Sequence, residues 1–133
     1  MPYFKAVLVD IDGTTVDCEF RNRNVLEQIA RDNGGEIKPH DWSVLAGTGD
    51  DIIWDWLKKN HSGFKIEKND FVLAAKRGYL TNHFGVVARD GMVDVFNHVL
   101  RRGLHLAAVT NSPSDIAESN LRIAAVDHYL PVR

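Results

Sequence analysis

The sequence has one cysteine, four prolines and no long apolar run. Cys18 cannot form an intramolecular disulfide, and no Cys/His spacing is typical of a zinc site. The longest apolar stretches, 6–9 and 104–109, are far too short to cross a bilayer. The first residues also do not have the charged and apolar regions of a signal peptide. These absences predict a protein of the reducing cytoplasm that does not associate with membranes.

A large charge of one sign is also absent. Sixteen Lys and Arg stand against 18 Asp and Glu, for a formal net charge of −2. This balance argues against nucleic acid as a partner, and it requires any anionic ligand to be bound by local groups. The length of 133 residues, 44% of them hydrophobic, is enough for one domain, or for a modest domain with an insertion.

Two apolar segments indicate strands that end in polar residues. Residues 4–9 run into Asp10, and residues 104–109 run into Thr110 and Asn111. Continuous apolar runs of this length are typical of parallel strands that are buried on both faces. In open α/β sheets, ligands bind at the carboxyl ends of the strands. The two strand ends are therefore the predicted site.

Helical periodicity surrounds the second strand and fills the segment between the two strands. A connection between parallel strands needs little more than ~12 residues, so a strand-free segment of about 70 residues indicates an inserted helical lid. The sequence thus predicts an α/β core formed by residues 1–15 and 86–133, with a helical cap at 16–85. The predicted helices are 21–32, 50–59 and 69–83 in the cap, and 92–102 and 114–122 in the core.

The stretch from Asp10 to Thr14 is the most informative. Crowded carboxylates such as Asp10 and Asp12 repel each other unless a cation lies between them, and hard oxygen ligands suit Mg²⁺. Gly13 permits a sharp turn. The residues alone also fit a strand followed by an ordinary Asp-Gly turn. In the same way, Thr110 and its neighbours fit either phosphate binding or the cap of the following helix.

Together these motifs resemble those of the haloacid dehalogenase (HAD) superfamily. Asp10-Ile11-Asp12-Gly13-Thr14 resembles its DxDGT signature, and Val109-Thr110-Asn111-Ser112-Pro113 resembles its second motif. The likeness extends from 4 to about 130 and is closest to the phosphoglycolate phosphatase and β-phosphoglucomutase branch. It implies a Rossmann-like parallel-sheet core with an inserted α-helical cap.

The resemblance also implies a reaction. Asp10 would attack phosphorus and form an aspartyl phosphate, while Asp12 would protonate the leaving alcohol and later take a proton from water. Mg²⁺ would be bound by the Asp10 carboxylate and the Asp12 main-chain carbonyl. Thr110, Asn111 and the backbone around Gly13 would hold the phosphate. Because dehalogenases of the superfamily lack the second aspartate, the expected substrate is a small organic phosphate or a sugar phosphate.

Some parts that the resemblance implies are missing from residues 1–133. The superfamily has a third-motif lysine and a fourth-motif acidic pair, and no convincing equivalent is present. Later strands of the sheet are also missing, so Val7 and Val9 are expected on an exposed apolar edge that favours self-association. The core is therefore expected to be incomplete, as part of a longer product or as a chain completed by a neighbour.

Two alternatives remain open. The chain could be a non-catalytic relative that binds a metal or a phosphorylated ligand without turnover. A phosphoacceptor receiver domain is disfavoured because three helices interrupt the order of its acidic residues. No role is assigned to Cys18. Arg21 and Arg23 could reach a substrate anion, but they are expected to be solvated helix charges. The tryptophans, Trp42, Trp54 and Trp56, are expected in the core of the cap.

Overall fold

A computed structural model describes residues 4–131. The described part of Met1–Arg21 and His83–Arg133 forms one compact unit, called here the core unit, and Asn22–Asn82 forms a second, the helical unit. The insertion expected from the sequence, 16–85, extends a few residues beyond the helical unit at each end. No helix among the described residues is long and apolar enough to span a membrane.

The core unit alternates strands and helices. Its main elements are β1 (Ala6–Asp10), β2 (Val16–Asp17), β3 (Val87–Ala88), α5 (Met92–Arg101), β4 (His105–Val109) and α6 (Ser114–Ile123). Strands β1 and β4 pair in parallel, with Asp10 opposite Val109. The register brings the carboxyl ends of both strands to one edge, and the predicted α/β class is confirmed.

Burial of the two central strands differs from the prediction. Both strands alternate exposed and half-buried positions, with Leu8 64% and Val109 55% exposed. Val7 and Val9 are half-buried, so the large apolar side chain that β1 exposes is Leu8. The expectation of two buried faces is wrong because only one face packs on the core. In the described part of the chain, β1 pairs with β4 alone.

The core lies beneath the half-buried face of the sheet. Ile11, Phe96, Leu121 and Leu130 are completely buried there, and Leu106 of β4 packs against the cluster. Ile11 directly follows β1 and points into this cluster, which fixes the loop that begins at Asp10. Hydrophobic burial thus determines where the polar residues of the loop can lie.

The core unit also contains two short strands, β2 and β3, that pair with each other. Strand β2 pairs antiparallel with β3, with Val16 opposite Ala88, and the Arg89 N–H donates to the Thr15 carbonyl at 2.9 Å. The sequence does not predict this ribbon because a strand of two residues has no measurable alternation. It ties the loop after β1 to the segment that leads into α5.

The helical unit contains the three predicted helices and one short addition. Its helices are α1 (Glu19–Asp32, which begins in the core unit), α2 (Trp42–Leu45), α3 (Asp50–Asn60) and α4 (Lys68–Thr81), with a 3₁₀ turn at Pro39–Asp41. Helix α2 and the turn were not predicted because they are shorter than a periodic pattern requires. Phe64 and Phe71 are fully buried edge to face, with ring centroids 6.0 Å apart.

The tryptophans belong to the helical unit. Trp42 is buried, and its indole N–H donates to Glu27 at 2.8 Å. Trp54 and Trp56 are half-buried, and the Trp54 indole N–H donates to the Ile66 carbonyl at 2.8 Å. These contacts place the Trp42 and Trp54 rings in the packing of this unit, and Trp42 alone of the three tryptophans is buried as expected for a core residue.

Asp50 gives the helical unit a pH-dependent stability. Burial raises the pKa of Asp50, and neighbouring Asp51 adds to this, against a 2.8 Å hydrogen bond from the Tyr79 hydroxyl. A raised pKa means that Asp50 contributes stability below its unfolded pKa, and that this contribution is lost as pH rises through the folded pKa. The Asp50→Asn variant, which keeps the acceptor for Tyr79, is therefore expected to gain stability relative to wild type at pH 7.

The measurement is urea unfolding of both proteins at pH 7 and at pH 3. We expect the difference in the free energy of unfolding to move in favour of wild type as the pH falls. Asp70→Asn, at an exposed aspartate in the first turn of α4, controls for the loss of one acidic charge. A difference that stays constant, or that moves the other way, would contradict the prediction.

Candidate active site

The loop after β1 is closed by its own backbone. The N–H groups of Thr15 and Val16 donate to the Ile11 carbonyl at 3.0 and 2.9 Å, and the Gly13 N–H donates to the Val16 carbonyl at 2.8 Å. Gly13 has φ +82°, which residues with a Cβ rarely adopt. The Gly13 amide is therefore engaged within the loop. The Thr14 N–H makes a longer bond, 3.4 Å to Ile11.

Asp10 is the exposed acid of the site. Its Oδ1 accepts from the Ile11 N–H at 2.9 Å, and its Oδ2 lies 3.5 Å from the Thr14 hydroxyl. The Thr15 hydroxyl donates to the Asp10 main-chain carbonyl at 2.7 Å. The backbone is thus fixed while the carboxylate stays open to solvent, which suits a group that must reach a ligand.

Asp12 is half-buried and is held by side chains that come from distant parts of the sequence. The Asn120 amide donates to its Oδ1 at 2.8 Å, and the Ser112 hydroxyl donates to its Oδ2 in a short hydrogen bond. The Cys18 sulfur lies 3.6 Å from the same Oδ1. The two aspartates therefore occupy different environments, although only Ile11 separates them.

Asn120 is in turn held by Arg21. The Arg21 guanidinium donates to Asn120 Oδ1 at 2.9 Å, and both residues are 1% exposed. The expectation that Arg21 is a solvated helix charge is therefore wrong. Arg23 is half-buried, with its guanidinium 5.2 Å from the centre of the Trp42 ring. The expectation of a solvated helix charge therefore does not hold for Arg23 either.

Of the residues after β4, Thr110 and Ser112 are hydrogen-bonded within the site, whereas Asn111 is exposed. The Thr110 hydroxyl accepts from the Ser112 N–H at 3.0 Å, and Asn111 is exposed. Helix α6 begins after Pro113 with no side-chain cap, so capping by Thr110 or Ser112 does not occur. The structure thus brings this loop to Asp12 through Ser112, which the sequence analysis did not single out.

The sequence carried one signal for Asn120. The apolar face of α6 is formed by Ile116, Ala117 and Leu121, and Asn120 occupies the same face at helical spacing. A polar residue there must find a buried partner. Arg21 and Ser112 gave no comparable signal, because their partners are 99 and 100 residues away in the chain.

Cys18 lies beside this network. Burial raises the pKa of the Cys18 thiol to about 11, with the Asp12 carboxylate acting in the same direction and Arg21 against it. Two pKa units above the reference value of 9.0 reduce the thiolate fraction about 100-fold at neutral pH. The thiol is therefore a packed, protonated contact of Asp12.

The native protein is expected to react with Ellman's reagent at pH 8 at least about 100-fold more slowly than the protein unfolded in urea. The reagent releases a coloured thiolate, so both rates can be followed by absorbance, and the Cys18→Ser variant supplies the blank. Reaction of the folded protein at the rate of the unfolded chain would contradict this prediction.

Metal ligands are few. Among residues 4–131, no group of three or more His, Cys, Asp or Glu side chains is placed to hold a metal ion. The oxygen donors at the end of β1 include the exposed Asp10 carboxylate and the backbone of the loop. These are hard donors of the kind that Mg²⁺ accepts when water and phosphate complete its shell.

These features define a class of protein. A parallel α/β core interrupted by a helical unit, with an exposed aspartate at the carboxyl end of β1, is typical of α/β enzymes that work at strand ends. A family model for haloacid dehalogenase-like hydrolases matches residues 4–132, and the chain belongs to this family. The resemblance noted from the motifs is confirmed.

Known proteins agree with this assignment. Validoxylamine A 7′-phosphate phosphatase from Streptomyces hygroscopicus subsp. limoneus is 28% identical over 120 residues, which cover 89% of this chain and 55% of that protein. The structure of CbbY from Rhodobacter sphaeroides with phosphate has a TM-score of 0.79 at 19% identity, covering 96% of this chain and 61% of that one. A predicted phosphoglycolate phosphatase from Haemophilus somnus 129PT has a TM-score of 0.80 at 21% identity, covering 98% and 62%.

The two structural matches show the fold, and the family model shows membership of the haloacid dehalogenase-like hydrolase family. The chain spans 55–62% of the length of these three relatives.

Proposed function

We propose that this chain provides the nucleophile, the acid–base group and part of the phosphate site of a phosphohydrolase that acts on a small organic phosphate or a sugar phosphate. The observation that supports this most is the contrast between Asp10 and Asp12. One carboxylate is open to solvent, and the other is held by Asn120 and Ser112. Two carboxylates in different environments are suited to two roles in one reaction.

In the proposed first step, an Asp10 oxygen attacks phosphorus and the bond between phosphorus and the leaving-group oxygen breaks. Asp12 gives a proton to the leaving-group oxygen, which departs as the alcohol. An aspartyl phosphate remains on Asp10. In the second step, Asp12 takes a proton from water as the water attacks phosphorus. Inorganic phosphate leaves, and both aspartates return to their starting state.

The phosphate is proposed to lie between the two strand ends. Thr110 and Asn111 follow β4, which pairs with β1, so both reach the edge where Asp10 is exposed. The predicted backbone contribution around Gly13 falls to Thr14, because the Gly13 amide already donates to Val16. Amide and hydroxyl donors of this kind hold phosphate oxygens without a basic field.

Mg²⁺ is the cofactor that these donors fit. The Asp10 carboxylate and the Asp12 main-chain carbonyl are proposed to hold it, and bound Mg²⁺ offsets the repulsion between an anionic nucleophile and an anionic phosphate. The Asp12 carboxylate is not assigned to the metal, because Asn120 and Ser112 already engage both of its oxygens.

The substrate class rests on the reaction and on one relative. Asp12 suits a leaving group that must be protonated, which favours a phosphate ester over a carbon–halogen bond. The name of the Streptomyces relative is that of a phosphatase acting on validoxylamine A 7′-phosphate, which is an organic phosphate. Small organic phosphates and sugar phosphates are therefore the first class to test.

The test measures hydrolysis of p-nitrophenyl phosphate and a panel of sugar phosphates by the chain, with Mg²⁺ and with EDTA. We expect turnover that requires Mg²⁺. Asp127→Asn, which alters an exposed acid outside the site, is the matched control and should keep the activity. No turnover by well-folded protein would overturn the proposal for this chain. Mg²⁺ or phosphate binding without turnover would instead support the non-catalytic alternative.

A further inference from the structure

Three buried or half-buried polar side chains connect α1, α6 and the loop after β1. Arg21 donates to Asn120 at 2.9 Å, and Asn120 donates to Asp12 at 2.8 Å. Nothing in the proposed reaction requires Arg21 or Asn120 to touch a substrate. We propose that Asn120, fixed by Arg21, is a positioning residue that sets the orientation of the Asp12 carboxylate. This inference rests on the proposed function of Asp12.

A polar side chain at the position of Asn120 is destabilising unless it is hydrogen-bonded. It lies on the apolar face of α6, where its neighbours Ala117 and Leu121 are fully buried. A buried amide is tolerated only when its donors and acceptors are satisfied. Here the oxygen is bound by Arg21 and the nitrogen by Asp12, so the polar group is held at both ends.

Arg21 determines which way the amide faces. A guanidinium can only donate, so it must meet the amide oxygen, and the NH₂ group is then forced toward Asp12. Arginine side chains in proteins are effectively always protonated. Hydrogen bonds in series also polarise one another, so the cation strengthens the amide as a donor to the carboxylate.

The two oxygens of Asp12 consequently have different partners. Asn120 can only donate through its nitrogen, so Oδ1 remains an acceptor. Ser112, which contacts Oδ2, has a hydroxyl that can donate or accept. The proton that Asp12 exchanges with the leaving alcohol therefore belongs on Oδ2. Without Asn120, Oδ1 loses the donor that keeps it an acceptor, and either oxygen can carry the proton.

The kinetic test compares leaving groups. Protonation matters greatly for an alkyl phosphate and little for p-nitrophenyl phosphate, whose leaving group departs as a stable anion. We expect Asn120→Ala to lower kcat/KM for glycerol 3-phosphate by about 100-fold or more, and for p-nitrophenyl phosphate by less than about fivefold. Arg21→Met should change the ratio in the same direction.

The control is Glu118→Gln, on an exposed position of α6 paired with Arg122. It should leave both rates unchanged. A variant that only weakens the fold lowers kcat/KM for both substrates by the same factor. The ratio of the two kcat/KM values therefore separates a positioning role from a loss of stability. Equal losses for the two substrates, in protein shown by circular dichroism to be folded, would overturn the inference.

A second readout does not depend on turnover. In wild type the side-chain amide protons of Asn120 should exchange slowly with water, as measured by ¹⁵N NMR. Their signals should shift in both Asp12→Asn and Arg21→Met, but not in Glu118→Gln. Absence of turnover by wild type would count against the proposed function alone. Asn120 amide signals that do not shift in Asp12→Asn would count against the positioning role itself.

Discussion

Replacing Asp10 by asparagine is expected to lower turnover of every phosphate ester by at least about 10³-fold, the scale seen when a nucleophile is removed. The amide has no anionic oxygen with which to attack phosphorus. Its carbonyl oxygen can still accept from the Ile11 N–H, so the loop should keep its shape. The loss is therefore expected in protein that folds as stably as wild type, which urea unfolding can verify.

Asp12→Asn provides the comparison. With a donor such as acetyl phosphate, whose leaving group needs no proton, the Asp12 variant should still form a phosphorylated protein. It should then accumulate, because water attack has lost its base. Asp10→Asn should not be labelled at all. Mass spectrometry and sensitivity to hydroxylamine identify the acyl phosphate. Labelling of the Asp10 variant, or retention of a tenth of wild-type activity, would show that another residue is the nucleophile.

The parts of the fold that the sequence predicts are those with a repeated local pattern. Strands β1 and β4 follow from uninterrupted apolar runs, and the longer helices follow from spacing of three and four residues. Strands β2 and β3 have two residues each and carry no such pattern. Burial of the sheet was overestimated because an apolar run shows that a strand can be covered, and does not show that both faces are.

The candidate site likewise contains residues that the sequence predicts and residues that it does not. Asp10, Asp12 and Thr110 were identified because each belongs to a short motif at a strand end. Of the groups that hold Asp12, Ser112 lies within the second motif and Asn120 interrupts the apolar face of α6, but neither pattern identifies Asp12 as the partner. Arg21 was expected in solvent, since an isolated charge on a helix is usually solvated, and its hydrogen-bond partner Asn120 lies 99 residues later in the chain. Such pairings depend on the packing of α6 against the loop, which local sequence does not encode.

The helical unit contains a close backbone contact just after α1. Gly34 has φ +84°, and a Cβ there would overlap the carbonyl oxygen of Gly63 and lie 2.9 Å from its carbonyl carbon. Left-handed strain costs about 1 kcal/mol, and forced displacement of packed groups adds roughly 1–3 kcal/mol. Gly34→Ala is therefore expected to lower the free energy of unfolding of this unit by about 2–4 kcal/mol.

Gly47 supplies the matched control, because it has φ +80° and open space where a Cβ would lie, with no packed group within 4 Å. Gly47→Ala should cost about 1 kcal/mol, from backbone strain alone. All three tryptophans lie in the helical unit, so their fluorescence during urea unfolding reports on this unit specifically. Equal losses for the two variants would mean that the Gly63 backbone moves away at no cost. In that case strain at the end of α1, rather than close packing, would be the reason for glycine at position 34.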